Sequence, residues 1–193
     1  MALKLKTAPA IAPLTLVEAK AHCRVDHSDD DAMISGLIDA AVSHLDGHSG
    51  VLGRCMIEQT WELYYDNFPS GPLRIPLGNL MAITTVEYVD PISAIYVTWD
   101  AANYEVDSVS VDGWVIPVDV WPTPMDTSNA IRVTFTAGYG AAAADVPAAI
   151  RAAMLLLIGH WYANREAVVI GETPTPLPMA ANALITPFRR VGT

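Results

Sequence analysis

The chain has 193 residues, is 52% hydrophobic and 17% charged, and carries a formal net charge of -10 at pH 7. It is long enough to bury a sizeable core within one domain and too apolar for wholesale disorder. The acidity is uneven: between Arg74 and Arg151 the only basic residue is Arg132, against nine Asp or Glu, so a surface built from this stretch repels phosphates and grips neither DNA nor an anionic membrane.

The first sixteen residues, MALKLKTAPAIAPLTL, hold two lysines but no long apolar run before Pro9 and Pro13. They predict no signal peptide, and hence synthesis and residence in the cytoplasm. Thr15 followed by Glu18 has the form of a capping box, in which each side chain satisfies the other's free backbone donor, and predicts a short helix to about His22. A second helix is predicted after Ser28, where Asp29, Asp30 and Asp31 place negative charge at the positive end of the dipole. Met33/Ile34, Leu37/Ile38, Ala41/Val42 and Leu45 recur on one face of it, and Gly47 and Gly50 end it.

From Met56 the period changes to two. Ile57, Gln59, Trp61, Leu63 and Tyr65 alternate with Glu58, Thr60, Glu62, Tyr64 and Asp66, as a strand with one buried face requires. Further strands are predicted at 83–90, 94–99, 103–107, 113–118 and 130–136, separated by Pro, Gly, Asp and Asn turn signals. A helix should then run from Pro147 to about Asn164, with hardly any charge along its length. Its apolar run between Arg151 and His160 is far shorter than the roughly 20 residues needed to cross a bilayer, so burial in protein is the expectation. The proline-rich GETPTPLP favours an extended connector, and a last short helix is expected around Ala180 to Arg190.

The pattern as a whole predicts an α+β fold: a small bundle of N- and C-terminal helices, residues 14–50 and 147–168, around a β-rich insertion of mainly antiparallel strands, residues 55–137. An extended or docking segment, residues 171–193, completes a single domain.

Candidate chemistry is thin. Gly138-Tyr139-Gly140 follows a strand and precedes a helix, echoing a dinucleotide-binding turn, but no second parallel strand with a ribose-binding carboxylate follows; a flexible joint is the better account. His22, Cys23, Asp26, His27 and the Asp29–Asp31 run contain metal-ligand types, and His44 and His48 sit one turn apart, yet neither group makes a complete first shell. Cys23 and Cys55 form no C-x-x-C pair and no G-x-S-x-G elbow is present. No cofactor or metal is expected. An abundance of apolar helix without chemistry points to a protein whose work is to touch other proteins.

In order and spacing, LTLVEAKAHCRVDHSDDDAMISGLIDAA, GRCMIEQTWEL, IPLGNLMAITTVEYVD, NYEVD and IRVTFTAGYGAAAADVPAAIRAAMLLLIGHWYANREAV resemble the head-tail connector (adaptor) proteins of tailed phages and phage-derived gene transfer agents. The resemblance runs from Leu14 to about Val168. Two departures stand out: HLDGHSGVLGR replaces the aromatic residue and Thr-Gly-Arg often found at the end of the second helix, and the match fades after Ile170.

The resemblance implies a non-enzymatic subunit at the virion neck, assembled in a bacterial cytoplasm as a homo-oligomeric ring, a dodecamer, under the portal. The portal protein would be its partner on one side and a tail-completion or stopper protein on the other. DNA would pass through the middle without specific binding, and no membrane is involved. Under this reading Leu155, Leu156, Ile158, Trp161 and Tyr162 divide between the subunit's own core and contact with a neighbour. Leu184, Ile185 and Phe188 beside Arg189 and Arg190 would form a portal-binding segment, the alternative being a terminal helix folded back on its own bundle. Competing functions are a tail-terminator or stopper ring, and a small metal-dependent hydrolase using His22, His27 and nearby aspartates.

Overall fold

The computed structural model describes residues 1–164 and 179–190. Residues 165–178, which take in the last four of the predicted helical part 147–168 and the proline-rich stretch, and residues 191–193 lie outside the described residues. The chain divides into two compact units: Met1–Ala10 with Glu58–Tyr139, and Ile11–Ile57 with Gly140–Thr193.

The second unit is helical, with α1 (Leu16–Cys23), α2 (Asp31–Leu45), α3 (Ala148–Ala163) and α4 (Met179–Ile185), the last followed by a 3-10 turn at Thr186–Phe188. The capping box at α1 is formed as the sequence predicts: Glu18 N donates to Thr15 Oγ1 at 3.2 Å and Thr15 N to Glu18 Oε2 at 2.8 Å. α1 ends at Arg24, which adopts the left-handed conformation (φ 58°). Along α2, Ile34, Ile38, Ala41 and Leu45 are buried, the face that the helical spacing marks, while Asp39 and Ser43 face water. Gly47, at φ 75°, turns the chain away from α2, a conformation that costs a side-chain-bearing residue.

α3 has few charges because it packs against three other helices, α1, α2 and α4. Ile150, Ala153, Met154, Leu157 and Ile158 are buried, and a helix contacted on several sides has little polar face to keep. Gly159 lies against the His22 ring, where a Cβ would sit 3.1 Å from Nε2. That contact sets how closely α1 approaches α3.

The first unit is built of strands. A five-stranded sheet runs in the order β1-β2-β8-β4-β5, from β1 (Ala2–Thr7), β2 (Gln59–Tyr65), β8 (Ile131–Ala137), β4 (Leu80–Val89) and β5 (Tyr96–Trp99). A three-stranded sheet has the order β3-β7-β6, from β3 (Leu73–Ile75), β7 (Gly113–Pro117) and β6 (Tyr104–Asp107). Every pairing among the described residues is antiparallel, so the fold class is α+β with helices at both ends and strands between.

Residues Ile131, Val133 and Phe135 of β8, Leu63 of β2 and Val86 of β4 are fully buried on one face of the larger sheet. Gly113 brings β7 against β4, since a Cβ there would run into the Leu80 side chain. β1 and β3 were not among the predicted strands. β1 is exposed along five of its six positions, so it has no buried face to imprint a pattern, and β3 is only three residues long.

Candidate interaction surfaces

In the helical unit the first candidate surface is the flank of α3. Ile158 is fully buried in its own chain and so offers nothing to a neighbour. Leu155, Leu156, Trp161 and Tyr162 keep partial exposure. Two of these four also have partners within the unit. The Tyr162 hydroxyl donates to Asp30 Oδ2 at 2.5 Å, and Trp161 meets His44 edge to face at 6.3 Å and 81°. The half-exposed leucines remain as the apolar part of this flank.

The second candidate is the C-terminal stretch. Ala181 and Ile185 are fully buried and α4 packs on α3, so Ile185 is a core residue and is corrected as a surface anchor. The stretch that follows is strapped down: Arg54 Nε donates to the Phe188 carbonyl at 2.9 Å, and Arg190 N donates to the Leu52 carbonyl at 2.8 Å. Gly53, at φ 60°, makes room for that strap, since a Cβ there would lie 3.2 Å from Arg190 Cβ. Leu184, Phe188 and Arg190 are half-buried and Arg189 is exposed. Terminal segments held by buried side chains and backbone bonds belong to the fold.

Ion pairs tie the bundle. Glu18 meets Arg151 across α1 and α3, and Lys20 Nζ lies 2.5 Å from Asp31 Oδ1. Hydrogen bonds from the Thr15 backbone and hydroxyl, with help from Arg151, hold the Glu18 carboxyl below its usual range. Asp30, which accepts from the Tyr162 hydroxyl, and Asp31, paired with Lys20, therefore have structural work. Among the described residues no group of three or more His, Cys, Asp or Glu is placed to hold a metal ion, and neither Cys23 nor Cys55 is in a disulfide.

The outward face of the larger sheet in the strand unit carries a polar network. Lys6 Nζ lies 3.0 Å from Glu62 Oε1, and the Tyr64 hydroxyl donates to Glu62 Oε2 at 2.7 Å. Arg132 grips Glu87 through two bonds and lies over the Tyr96 ring, 4.4 Å from its centroid. The Tyr64 hydrogen bond holds the Glu62 carboxyl low, with Lys6 adding to it against the opposing effect of burial. These charges satisfy one another and leave no array of free cations for a nucleic acid.

A second feature of this unit has no clear precursor in the sequence pattern. Phe68 stacks on Trp121 at 4.5 Å and 8°, Trp121 lies 5.0 Å from Trp99, and Trp99 stacks on Tyr104 at 5.5 Å and 25°. These rings come from four separated segments, so no local spacing announces them. Beside Trp99 an open depression of about 220 Å³ is lined by Trp99, Asn103, Val118, Asp119 and Val120. At the strand-to-helix joint, Gly138 and Gly140 are followed by a 3-10 turn at Ala143–Asp145, and Ala142 N donates to Asp145 Oδ2 at 2.9 Å. Within the joint the carboxylate of Asp145 thus occupies the backbone donor.

No helix among the described residues is long and apolar enough to cross a membrane. Residues 13–75 match the family of phage gp6-like head-tail connector proteins, a stretch that takes in α1, α2, β2 and β3. Comparison with curated proteins returned no match. Solved structures do match. A chain in the neck of an empty GTA particle computed with C6 symmetry is 22% identical with a TM-score of 0.81, and the match covers 100% of this chain and 97% of that one. A chain in the virion of a native gene transfer agent (GTA) particle is 20% identical with a TM-score of 0.82, at the same coverage. A third, in the neck of a native GTA particle computed with C12 symmetry, is 18% identical with a TM-score of 0.70 and again the same coverage. The resemblance to head-tail connectors read from the sequence is borne out, and the shared fold extends over the whole chain.

Proposed function

We propose that this chain is a structural head-tail connector subunit of a tailed phage or gene transfer agent particle. It is made in the bacterial cytoplasm and stationed at the virion neck, where it works by adhesion and without turnover. The single observation that carries the reading is the whole-chain likeness to chains of GTA neck structures, joined to the family match over residues 13–75.

In this reading twelve copies close into a ring under the portal, with both units of the chain serving one connector subunit. Symmetric neck structures of the similar proteins support a ring, and a ring needs a heterologous contact that closes on itself. The exposed flank of α3, through Leu155, Leu156, Trp161 and Tyr162, supplies part of that contact. The portal is met by the exposed edge of the C-terminal stretch, Leu184, Phe188, Arg189 and Arg190, with Ile185 anchoring it from inside the bundle. A tail-completion or stopper protein occupies the opposite side. DNA passes without being held, because the chain's net charge of -10 offers its phosphates few counterions.

Co-sedimentation with purified portal rings tests this. The chain alone should remain a weakly associating subunit and should shift to the portal fraction when portal is added, because each docked copy raises the effective concentration for the next. Failure to join the portal at any salt concentration contradicts the proposal.

A further inference from the structure

We propose that the turn from Asp46 to Ile57 is a clamp that presents Arg189 in a fixed position, with Gly53 and Arg54 as positioning residues for portal docking. For its partner this rests on the connector reading. The clamp itself lies wholly within the helical unit.

The turn is built to be rigid. Backbone hydrogen bonds tie it to the end of α2: Val51 N donates to the His44 carbonyl at 2.9 Å and Leu52 N to the Leu45 carbonyl at 3.1 Å. Gly47 N donates to the Arg54 carbonyl at 2.8 Å, and Met56 N to Asp46 Oδ1 at 2.6 Å, which closes the turn on itself. Leu52, Cys55, Met56 and Ile57 are buried, so side chains as well as backbone hold it down. Gly50 fits only without a side chain, since a Cβ there would fall 2.2 Å from the Asp46 carbonyl oxygen.

This platform holds both peptide groups that flank Arg189. On one side the Phe188 carbonyl accepts from Arg54 Nε, and Arg189 N donates to the Thr186 carbonyl at 3.3 Å. On the other, Arg190 N donates to the Leu52 carbonyl. The two segments must come close for this, and Gly53 permits it by having no Cβ to set against that of Arg190. Between the pins Arg189 is extended, φ -68° and ψ 132°, and its exposed side chain makes no ion pair or hydrogen bond among the described residues. A cation on a chain of net charge -10 is thus held at its backbone and left open at its guanidinium. A guanidinium meets a carboxylate through a planar fork, so its grip depends on orientation more than that of a lysine does. Fixing the backbone beforehand removes an ordering cost from docking, which for one residue amounts to about tenfold in affinity.

The test compares Arg190→Pro with Arg190→Ala in the full chain. Both lose the Arg190 side chain, but only proline loses the N–H that the Leu52 carbonyl holds. Arg189 already has the extended backbone that suits a residue before proline. Hydrogen exchange at the Arg190 amide of the parent and capture of each chain by purified portal rings over a range of salt are measured. The parent amide should be protected. Arg190→Pro should be captured about tenfold more weakly than Arg190→Ala, with the same salt dependence because both keep the Arg189 charge. Gly53→Ala, which crowds Arg190 without removing a charge, should weaken capture relative to the parent, and circular dichroism checks that every variant is folded. An Arg190 amide that exchanges as in an unstructured peptide, or equal capture of Arg190→Pro and Arg190→Ala, overturns the clamp and leaves the connector reading standing. A parent that the portal does not capture, although its Arg190 amide is protected, overturns the connector reading and with it the partner named here.

Discussion

Arg132 and Glu87 face each other across β8 and β4 as a two-point ion pair, with Nε to Oε2 and Nη2 to Oε1 both 2.8 Å. Both side chains are largely covered, 28% and 16% exposed, so the pair is more than a solvated surface contact. Hydrogen bonding to Arg132 holds the Glu87 carboxyl below its ordinary value of 4.5, against the opposing effect of burial. A lowered carboxyl contributes stability that is fully present above the unfolded value and is lost as pH falls through the folded one. Glu87→Gln should therefore cost about 1–3 kcal/mol at pH 7, and the gap to the parent should narrow at pH 3. Urea midpoints at the two pH values check this, and a gap that widens in acid contradicts it.

Ile185→Ala should destabilise the helical unit by about 2–5 kcal/mol, the usual range for emptying a buried aliphatic position, because Ile185 is fully buried. Deleting Ala180 to Thr193 removes Ala181 as well and should lower the thermal midpoint further. Such a truncation confounds folding with docking. Arg189→Glu, at an exposed residue, should leave the midpoint unchanged while weakening portal capture in a salt-dependent way. An unchanged midpoint for Ile185→Ala would contradict the packing described for α4.

Gly36→Ala should stabilise the isolated subunit by about 0.5–1 kcal/mol, since glycine in a helix interior costs that much relative to alanine. Gly36 lies within α2, and a Cβ there would meet nothing within 4 Å. A lowered denaturation midpoint in the isolated chain would show that the space around this residue is not open.

Treatment with EDTA should leave the thermal midpoint within a degree or two, because a structural metal contributes folding free energy directly and its removal would be felt at once. A larger fall would assign the His22, Asp26 and His27 region a ligand role that its geometry does not suggest.

The sequence made legible whatever is local. The capping box needs only Thr15 and Glu18, three residues apart, and it forms as read. The buried face of α2 and most strands likewise carry their period within one segment. The predicted edges of the strands shift by a few residues, as with β4, which starts at Leu80 and not at 83. What stayed hidden depends on contacts between distant segments. β1 has no buried face of its own and is a strand because it pairs with β2, Leu3 opposite Leu63. The charge-poor α3 invites two readings, core or neighbour, and only its contacts with three helices show why Ile158 is buried. Ile185 reads as a surface anchor from its place beside Phe188 and two arginines, yet its side chain turns inward. The aromatic stack of Phe68, Trp121, Trp99 and Tyr104 is assembled by the fold from segments that share no spacing.

The central claim is that this chain works as a ring bound to a portal. The measurement that bears on it most directly is electron microscopy of the full chain mixed with purified portal assemblies, with class averages taken along and across the axis. The account predicts a closed ring of twelve copies seated on one face of the portal, open at its centre. Portal particles without added density, or single copies bound at scattered positions with no closed ring at saturating concentration, would contradict it.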